Sequence, residues 1–316
     1  MRVVTSTVGY GVCIAFLLAT AGAKADATPI TSMWSGEQAM NDIATQLSFG
    51  TRALGTLGHQ KATEFIKNQL ASTSSQVVTQ QGTYQGTDGK EHPLTNIIAR
   101  FDPSNPRRLI VGTHYDSIIR AYADPTNPDA PMPGANNSAS GVALLLETAR
   151  VLDKIQRSPV GVDFVFFDGE EGPRSLGAGD PHWYPLGSPF FAQHLNDLYQ
   201  AYPEGRPEQA IIFDMVCEKN LHVSPELSSL PSASKQISAF WDIGRTVVPS
   251  AFLPTPLHYP IGDDHTALIG AGIPSFLVID FDYARWFNTT QDTLDKCLPL
   301  SLQEVGRTLL QYLFTR

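Results

Sequence analysis

Apolar runs alternate with amphipathic stretches along most of the chain, and this alternation predicts its secondary structure. Apolar or alternating runs bounded by turn residues predict strands at 77–84, 94–101, 108–113, 162–167, 210–216 and 273–279. Apolar residues at helical spacing predict helices at 35–47, 59–70, 142–152, 190–198, 234–247, 266–270 and 300–314. Strands that alternate with helices predict an α/β fold: a single domain with a mostly parallel, mixed central sheet and helices on both faces.

The N-terminal stretch has the pattern of a secretory signal peptide. A short positive start precedes an apolar run from Val8 to Ala23, which ends in small residues. The run contains Thr and Gly and is short for a membrane anchor. We therefore predict a signal peptide at 1–25, cleaved near Ala23 or Ala25, and one mature domain at 26–316. The expected location is secreted or periplasmic, with no integral membrane span after cleavage.

The charge of the chain narrows its possible partners. The formal net charge is −9, and the 22 Lys and Arg residues form no cluster. This argues against nucleic acid and anionic membranes as partners.

Only Cys217 and Cys297 remain after removal of the signal peptide. In an oxidising compartment they either pair or serve as small buried apolar residues, and the sequence leaves both open.

Residues that can carry chemistry fall at the ends of predicted strands. Glu170 and Glu171 follow a buried strand in a glycine turn, and His114, Asp214 and Asp263 also fall at or just past strand ends. In an open α/β sheet, ligands bind outside the carboxyl ends of the strands. The fold therefore predicts that one edge of the sheet brings these side chains together. The structural alternative is that adjacent loop glutamates are simply solvated.

Two of these positions favour a metal site. Asp214 stands in an apolar run, where a carboxylate is costly unless it is paired or bound to metal. His114 and Asp116 lie on one face of a strand end, and an imidazole oriented by a carboxylate is common around metal ions. Carboxylates and an imidazole that converge suit zinc, with one carboxylate left as general base. Asn136 and Asn137, at the start of the following helix, could belong to this site or could simply cap the helix.

The chain resembles the exported bacterial zinc aminopeptidases, a superfamily that also contains the animal-type glutaminyl cyclases. The resemblance covers nearly all of the mature chain. It rests on motifs in matching order: Thr95-Asn96-Ile97-Ile98, Thr113-His114-Tyr115-Asp116-Ser117, Gly134-Ala135, Phe166-Phe167-Asp168-Gly169-Glu170-Glu171, Phe213-Asp214-Met215, Asp263-Asp264-His265 and Gly272-Ile273-Pro274. The strand at 96–98, the block at 114–117 and the doubled aspartate at 263–264 favour the cyclases over the peptidases.

The resemblance implies a role for each candidate residue. In the cyclases, the Glu170 position shuttles a proton, and the Asp214 and Asp263 positions form a hydrogen-bonded network beside one zinc ion. Glu171 would be a ligand of that ion. In the two-metal aminopeptidases, the His114 and Asp214 positions instead bind a first zinc ion, and the Glu171 position binds a second.

Two positions depart from the family pattern. Where the family has an aspartate that binds zinc, this chain has Asn137, and where the family has the last zinc histidine, it has Asn288. An amide oxygen can coordinate hard cations, but it lacks the charge that holds zinc. The resemblance therefore implies one zinc ion, bound weakly or lost because of these two asparagines.

These residues lead to one main hypothesis and two alternatives. The main hypothesis is an exported glutaminyl cyclase-like protein that acts on peptide N-termini and converts N-terminal glutamine to pyroglutamate. Trp183, Trp286 and Phe287 would line its substrate pocket, although loop aromatics more often serve packing. The alternatives are a zinc-dependent aminopeptidase and, because of Asn137 and Asn288, a metal-poor pseudoenzyme or peptide-binding domain.

Overall fold

A computed structural model of the protein describes residues 30–315, apart from residues 74, 157, 174–181 and 203–204. The predicted signal peptide lies outside the described residues. The strands are β1 (Gln76–Gln85), β2 (Glu91–Phe101), β3 (Arg108–His114), β4 (Gly161–Phe167), β5 (Gln209–Asp214) and β6 (Ser275–Ile279). The helices are α1 (Gly36–Leu47), α2 (Leu57–Ala71), α3 (Ala139–Ile155), α4 (Gly187–Gln193), α5 (Leu195–Tyr199), α6 (Ser229–Val247), α7 (Asp264–Gly270) and α8 (Pro299–Phe314).

One mixed sheet organises the described residues, with the strand order β1-β2-β4-β3-β5-β6. β2 runs antiparallel to β1 and β4, whereas β4, β3, β5 and β6 are parallel to one another. The predicted mostly parallel, mixed sheet is therefore confirmed. Its parallel strands place their carboxyl ends at a common edge, where the predicted site residues lie.

Helices cover both faces of the sheet, as predicted. The strand period of two sends alternate residues to opposite sides: Ile97, Val111 and Phe166 belong to one core, and Ile98, Ile110 and Val165 belong to the other. The larger core packs against α1, α2, α3, α6 and α8, and the smaller one against α4, α5 and α7. Among the described residues, no helix is both long and apolar enough to cross a lipid bilayer.

Several predicted boundaries were wrong, including both ends of the helix predicted at 142–152, which the structure extends to Ala139–Ile155. The helix predicted at 190–198 is two short helices that meet at His194, whose φ of −107° and ψ of 16° interrupt the helical path. α6 begins five positions before the predicted Ser234, with a kink at Ala233. β5 ends at Asp214 because Met215 has a φ of +48°, which takes the chain out of the sheet. Asp214 is therefore the last residue of its strand, at the carboxyl edge of the sheet, rather than an interior strand residue.

A disulfide settles the question that the sequence left open about the two cysteines. Cys217 is bonded to Cys297. The bond joins the segment that follows β5 to the segment that precedes α8. Asp214 ends β5 just before the first of these segments, and Asn288 lies in the loop before Cys297, so the disulfide ties together the chain next to both site residues.

Candidate active site

The predicted strand ends meet around the ring of His114. His114 is the last residue of β3 and Asp214 is the last residue of β5, and Nε2 of the ring lies 3.2 Å from Asp214 Oδ1. Nδ1 lies 3.4 Å from Asp116 Oδ1 and 3.9 Å from Glu170 Oε2. All of these side chains are buried. The imidazole thus lies among carboxylates that stand at, or just past, the ends of β3, β4 and β5.

A buried aspartate holds the turn that carries Glu170 and Glu171. The Glu170 N–H group donates to Asp116 Oδ1 at 3.0 Å, and the Glu171 N–H group donates to Asp116 Oδ2 at 3.2 Å. Gly169 has a φ of +67°, which glycine adopts without strain. The sequence motif indicated that Asp116 orients the histidine. In the structure, Asp116 also fixes the direction of the acidic turn.

Asp168, the residue before this turn, forms a second anchor. Its Oδ1 lies 2.7 Å from His59 Nε2, and its Oδ2 accepts the Thr95 N–H group at 2.8 Å. Its own N–H group donates to Asn96 Oδ1 at 3.0 Å. The motif that carries the glutamates is therefore tied to both β2 and α2. His59 was not predicted to take part, because its only sequence signal is a position in an amphipathic helix.

Asn137 and Asn288 form a hydrogen-bonded chain with Glu171. Asn137 Nδ2 donates to Glu171 Oε1 at 2.6 Å and to Asn288 Oδ1 at 3.1 Å. Asn288 Nδ2 donates to the Tyr122 hydroxyl at 3.2 Å. Asn288 has a φ of +53°, a left-handed conformation that Asn tolerates better than most residues. The two departures from the family pattern therefore contact each other directly.

Asp292 is a site residue that the sequence did not predict. Its carboxylate accepts the N–H groups of Asn136 at 2.8 Å and Asn137 at 3.1 Å, and the Tyr283 hydroxyl at 2.7 Å. Asp292 thereby fixes the segment before α3, just as Asp116 fixes the turn that carries Glu170 and Glu171. Its only signal in the sequence was a position in a polar loop, where a carboxylate is usually solvated.

A cavity of about 310 Å³ opens above these residues. Its polar lining consists of Asn137, Glu170, Glu171, Asp214, Asp263 and Asn288, and the apolar part includes Trp183, Met215, Tyr259, Ile261, Ile279, Phe281 and Phe287. Among the described residues that line it, none is Lys, Arg or His. The cavity thus combines an acidic floor with aromatic and aliphatic walls.

The three aromatic residues proposed for the pocket are placed differently. Trp183 and Phe287 line the cavity, but Trp286 is not among its described lining residues. The Trp286 ring instead packs against two cations, with Arg285 Cζ at 4.8 Å and Lys296 Nζ at 4.7 Å from its centroid. Trp286 thus has the packing role that the sequence left open for loop aromatics.

The sequence profile of peptidase family M28 matches residues 96–313, which include all the site residues described above except His59 and Thr95. The chain belongs to this family. A bovine glutaminyl-peptide cyclotransferase-like protein is 25% identical over 241 residues, and the match covers 70% of this chain but only 60% of that protein.

Solved structures agree with membership of family M28. The Tannerella forsythia glutaminyl cyclase superposes with a TM-score of 0.81 at 26% identity, covering 90% of this chain and 99% of that one. A Zn-dependent exopeptidase from Parabacteroides distasonis superposes with the same TM-score at 28% identity and with the same coverage. The fold is thus shared by cyclases and exopeptidases, and the site must distinguish the activities.

The described residues do not fit the zinc ion that the M28 resemblance implies. Asn137 directs its Nδ2 group, which cannot bind a metal ion, at Glu171 Oε1 and at Asn288 Oδ1, so the remaining carboxylate and the second amide at the ligand positions are both engaged by hydrogen bonds. In the part of the chain that the structure describes, no group of three or more His, Cys, Asp or Glu is arranged to hold a metal ion. One carboxylate and two amides form a hydrogen-bonding set rather than a zinc-binding one.

Burial raises the pKa values of several acids in the cavity. Burial raises the pKa of Glu171 to about 8 and, with the charge of Asp214, raises the pKa of Asp263 to about 7. It also raises the pKa of Glu170 well above its usual value, and Asp263 adds to this shift. Burial alone would lower the pKa of His114, but the neighbouring carboxylates, Asp214 first, raise it well above its usual value. A crowded acid cluster of this kind is stabilised by a cation that enters it.

Proposed function

We propose that this protein binds the free amino termini of peptides in the acidic cavity, and that this binding needs no zinc ion. The observation that carries the proposal is the polarity of the lining, whose ionisable acid groups are the carboxyl groups of Glu170, Glu171, Asp214 and Asp263. An ammonium group has three donors and no acceptor, whereas an ionised carboxylate only accepts. A peptide amino terminus supplies the positive charge that none of the described lining side chains carries.

Other lining residues support the same ligand. Asn137 has a buried Oδ1 without a hydrogen-bond partner among the described residues, so it can accept from an ammonium group. Trp183, Phe281 and Phe287 present aromatic rings to the cavity. Aromatic ring faces attract cations and also offer apolar contact to the first side chain of a peptide.

Glutaminyl cyclisation is the second candidate activity. Glu170 supports it, because this glutamate lines the cavity and its pKa is raised, so it can both take and return a proton. In that reaction, the α-nitrogen bonds to the γ-carbonyl carbon, ammonia leaves, and Glu170 moves the proton from the amine to the leaving nitrogen. Aminopeptidase action is supported less well, because it would rely on metal-bound water and the asparagine pair does not suit zinc.

Export is also part of the proposal. The signal-peptide pattern at the N-terminus and the bond between Cys217 and Cys297 both support it. Disulfides persist in oxidising compartments and are rare in the cytosol. The proposed location is therefore secreted or periplasmic.

Calorimetric titration of the mature protein tests the proposal. We expect Gln-Ala-Ala to bind in the presence of EDTA and N-acetylated Gln-Ala-Ala not to bind, because acetylation removes the ammonium group. Asp263→Asn should weaken binding by about tenfold or more, which corresponds to about 1.4 kcal/mol. Asp129→Asn is the matched control, because the Asp129 side chain is 89% exposed. Equal binding of the acetylated peptide, or loss of binding in EDTA, would refute the proposal.

The same samples separate the two candidate activities. Ammonia release from Gln-Ala-Ala would establish cyclisation, and Glu170→Gln should then lower its rate by about 100-fold or more while binding persists. Binding without ammonia release would leave peptide recognition as the function. Hydrolysis of a leucyl anilide that EDTA abolishes would instead favour the aminopeptidase alternative.

A further inference from the structure

Glu226 is a buried carboxylate outside the cavity that gathers hydrogen bonds from several segments. It accepts the N–H groups of Ser228 and Ser229, each at 2.8 Å, and their hydroxyls at 2.8 and 2.7 Å. It also accepts the Ile261 N–H group at 3.0 Å and lies 3.1 Å from His265 Nε2. Glu226 is fully buried. Its oxygens thus join the start of α6, the loop before α7, and α7 itself.

Two further contacts extend this junction. The Leu257 N–H group donates to the Pro225 carbonyl oxygen at 3.0 Å. The residue before Glu226 is therefore also hydrogen-bonded to the segment that leads into the loop before α7. Ser229 Oγ accepts the Leu277 N–H group of β6 at 3.2 Å. Hydrogen bonds through Glu226 and Ser229 therefore connect the loop before α7 to strand β6 of the central sheet.

The loop that Glu226 holds forms one wall of the cavity. All five of residues 259–263, here called the 259–263 wall, line the cavity. At Gly262, an added Cβ would lie 2.7 Å from Trp183 Cζ3, so the indole packs directly on the backbone of the wall. The wall ends at Asp263, whose carboxylate belongs to the acidic floor. A displacement of the wall would move both the acid and the indole.

We propose that Glu226 is a positioning residue for the cavity: through Ile261 N–H and His265, it holds the 259–263 wall so that Asp263 faces the bound amine. This inference rests on the proposed function. Physically, Glu226 presents acceptor oxygens to six donor groups. A glutamine there replaces one of those oxygens with an N–H₂ group, which faces donors and repels them. The wall is then released on the side that carries Asp263.

The decisive variant is Glu226→Gln in the mature protein. We expect its affinity for Gln-Ala-Ala to fall about tenfold or more, because acceptor loss leaves buried donors unpaired and lets the wall move. We also expect a shift in tryptophan emission, which should be absent when Trp183→Phe is added. Glu226→Asp keeps the charge but shortens the side chain. It should weaken binding in the same direction, and it replaces the glutamine variant if that one does not fold.

Asp163→Asn is the matched control for a purely structural effect. Asp163 is also fully buried and accepts from Arg108 and Tyr199, but it lies near the start of β4, at the opposite end of the sheet. We expect this variant to lower the melting temperature without changing peptide affinity. Equal loss of affinity in the Asp163 and Glu226 variants would show that Glu226 acts only through stability.

The outcomes separate this inference from the function on which it rests. If the unmodified protein binds no peptide, the proposed function fails, and the Trp183 emission shift alone decides whether Glu226 holds the wall. If the unmodified protein binds peptide and both Glu226 variants bind it equally well with unchanged emission, the positioning role is refuted. Weaker binding together with the emission shift supports it.

Discussion

Asn137 shows how one amide changes what an acidic cluster can do. Its N–H₂ group neutralises no charge, but it satisfies Glu171 and Asn288 at the same time. A carboxyl group in its place would face the Glu171 carboxyl group at hydrogen-bond distance, and the two could not both ionise without strong repulsion. The amide therefore stabilises the folded protein without a metal ion. An aspartate at this position would do so only with a bound metal ion to offset its charge.

This contact predicts the effect of restoring the family's aspartate. Asn137→Asp should lower the free energy of unfolding by about 1–3 kcal/mol in EDTA, because a buried hydrogen bond becomes a pair of facing carboxyls. Asn127→Asp, an exposed position, should change it by less than about 0.5 kcal/mol. Urea unfolding curves measure both variants. Unchanged stability of Asn137→Asp would contradict the hydrogen-bonded assignment of this pair.

The helix that follows Asn137 shows why small residues precede and begin α3. At Gly141, an added Cβ would lie 2.0 Å from Thr113 Oγ1 and 2.9 Å from the Phe213 carbonyl oxygen. The first turn of α3 therefore packs directly on the ends of β3 and β5. A larger residue at position 141 would therefore push the helix away from the sheet.

Glycine substitutions test this packing at the level of the element. Gly141→Ala should lower the free energy of unfolding by about 1–3 kcal/mol, because the added methyl group overlaps strand atoms. Gly270→Ala in α7 is the matched control, since no atom lies within 4 Å of its added Cβ. It should be neutral or slightly stabilising, by less than about 1 kcal/mol. Equal effects of the two substitutions in urea unfolding would contradict the close contact of α3 with the sheet.

At the scale of the whole molecule, the fold concentrates negative charge at one edge of the sheet. Strands distant in sequence each deliver an acid there, and burial keeps these acids from ionising freely. Asp116 and Asp292 balance part of this by turning their carboxylates toward backbone N–H groups. The remaining carboxyls form the acidic floor on which the proposed amine binding rests, and their raised pKa values make the stability of the fold sensitive to pH.

The pH dependence of stability follows from the raised pKa values. Asp263 and Glu171 have usual pKa values of 3.8 and 4.5, which become about 7 and about 8 in the folded protein. The folded state therefore binds more protons than the unfolded state between about pH 4 and pH 8. The stabilisation is complete below about pH 4 and is lost as the pH rises through about 7 to 8.

Thermal melts between pH 5 and pH 9 measure this effect. We expect the melting temperature to fall across that range, and Asp263→Asn to flatten the fall, because the amide does not ionise. Asp129→Asn, at an exposed carboxylate, should leave the slope unchanged. A melting temperature that rises from pH 6 to pH 8 would contradict the assigned direction.

Much of the architecture was predictable because it depends on local patterns. Hydrophobic periodicity predicted the strands and most helices, and the fold rule for parallel strands predicted that His114, Asp214 and the Glu170-Glu171 pair share one edge. Errors occurred where long-range contacts override a local pattern. The early start of α6, for example, lies where the hydroxyls of Ser229 and Ser232 accept N–H groups of the distant strand β6.

The sequence by itself determined the α/β order of elements, the acids at the strand ends and the two asparagines at ligand positions. Only the tertiary structure decided how these groups use their hydrogen bonds. Asn137 and Asn288 are 151 positions apart, yet their amides are in contact, and Cys217 and Cys297, 80 positions apart, are bonded. Periodicity reports which face of an element is buried, and that is a local property. Whether a buried amide meets a carboxylate, a metal or another amide depends on where remote loops come to rest.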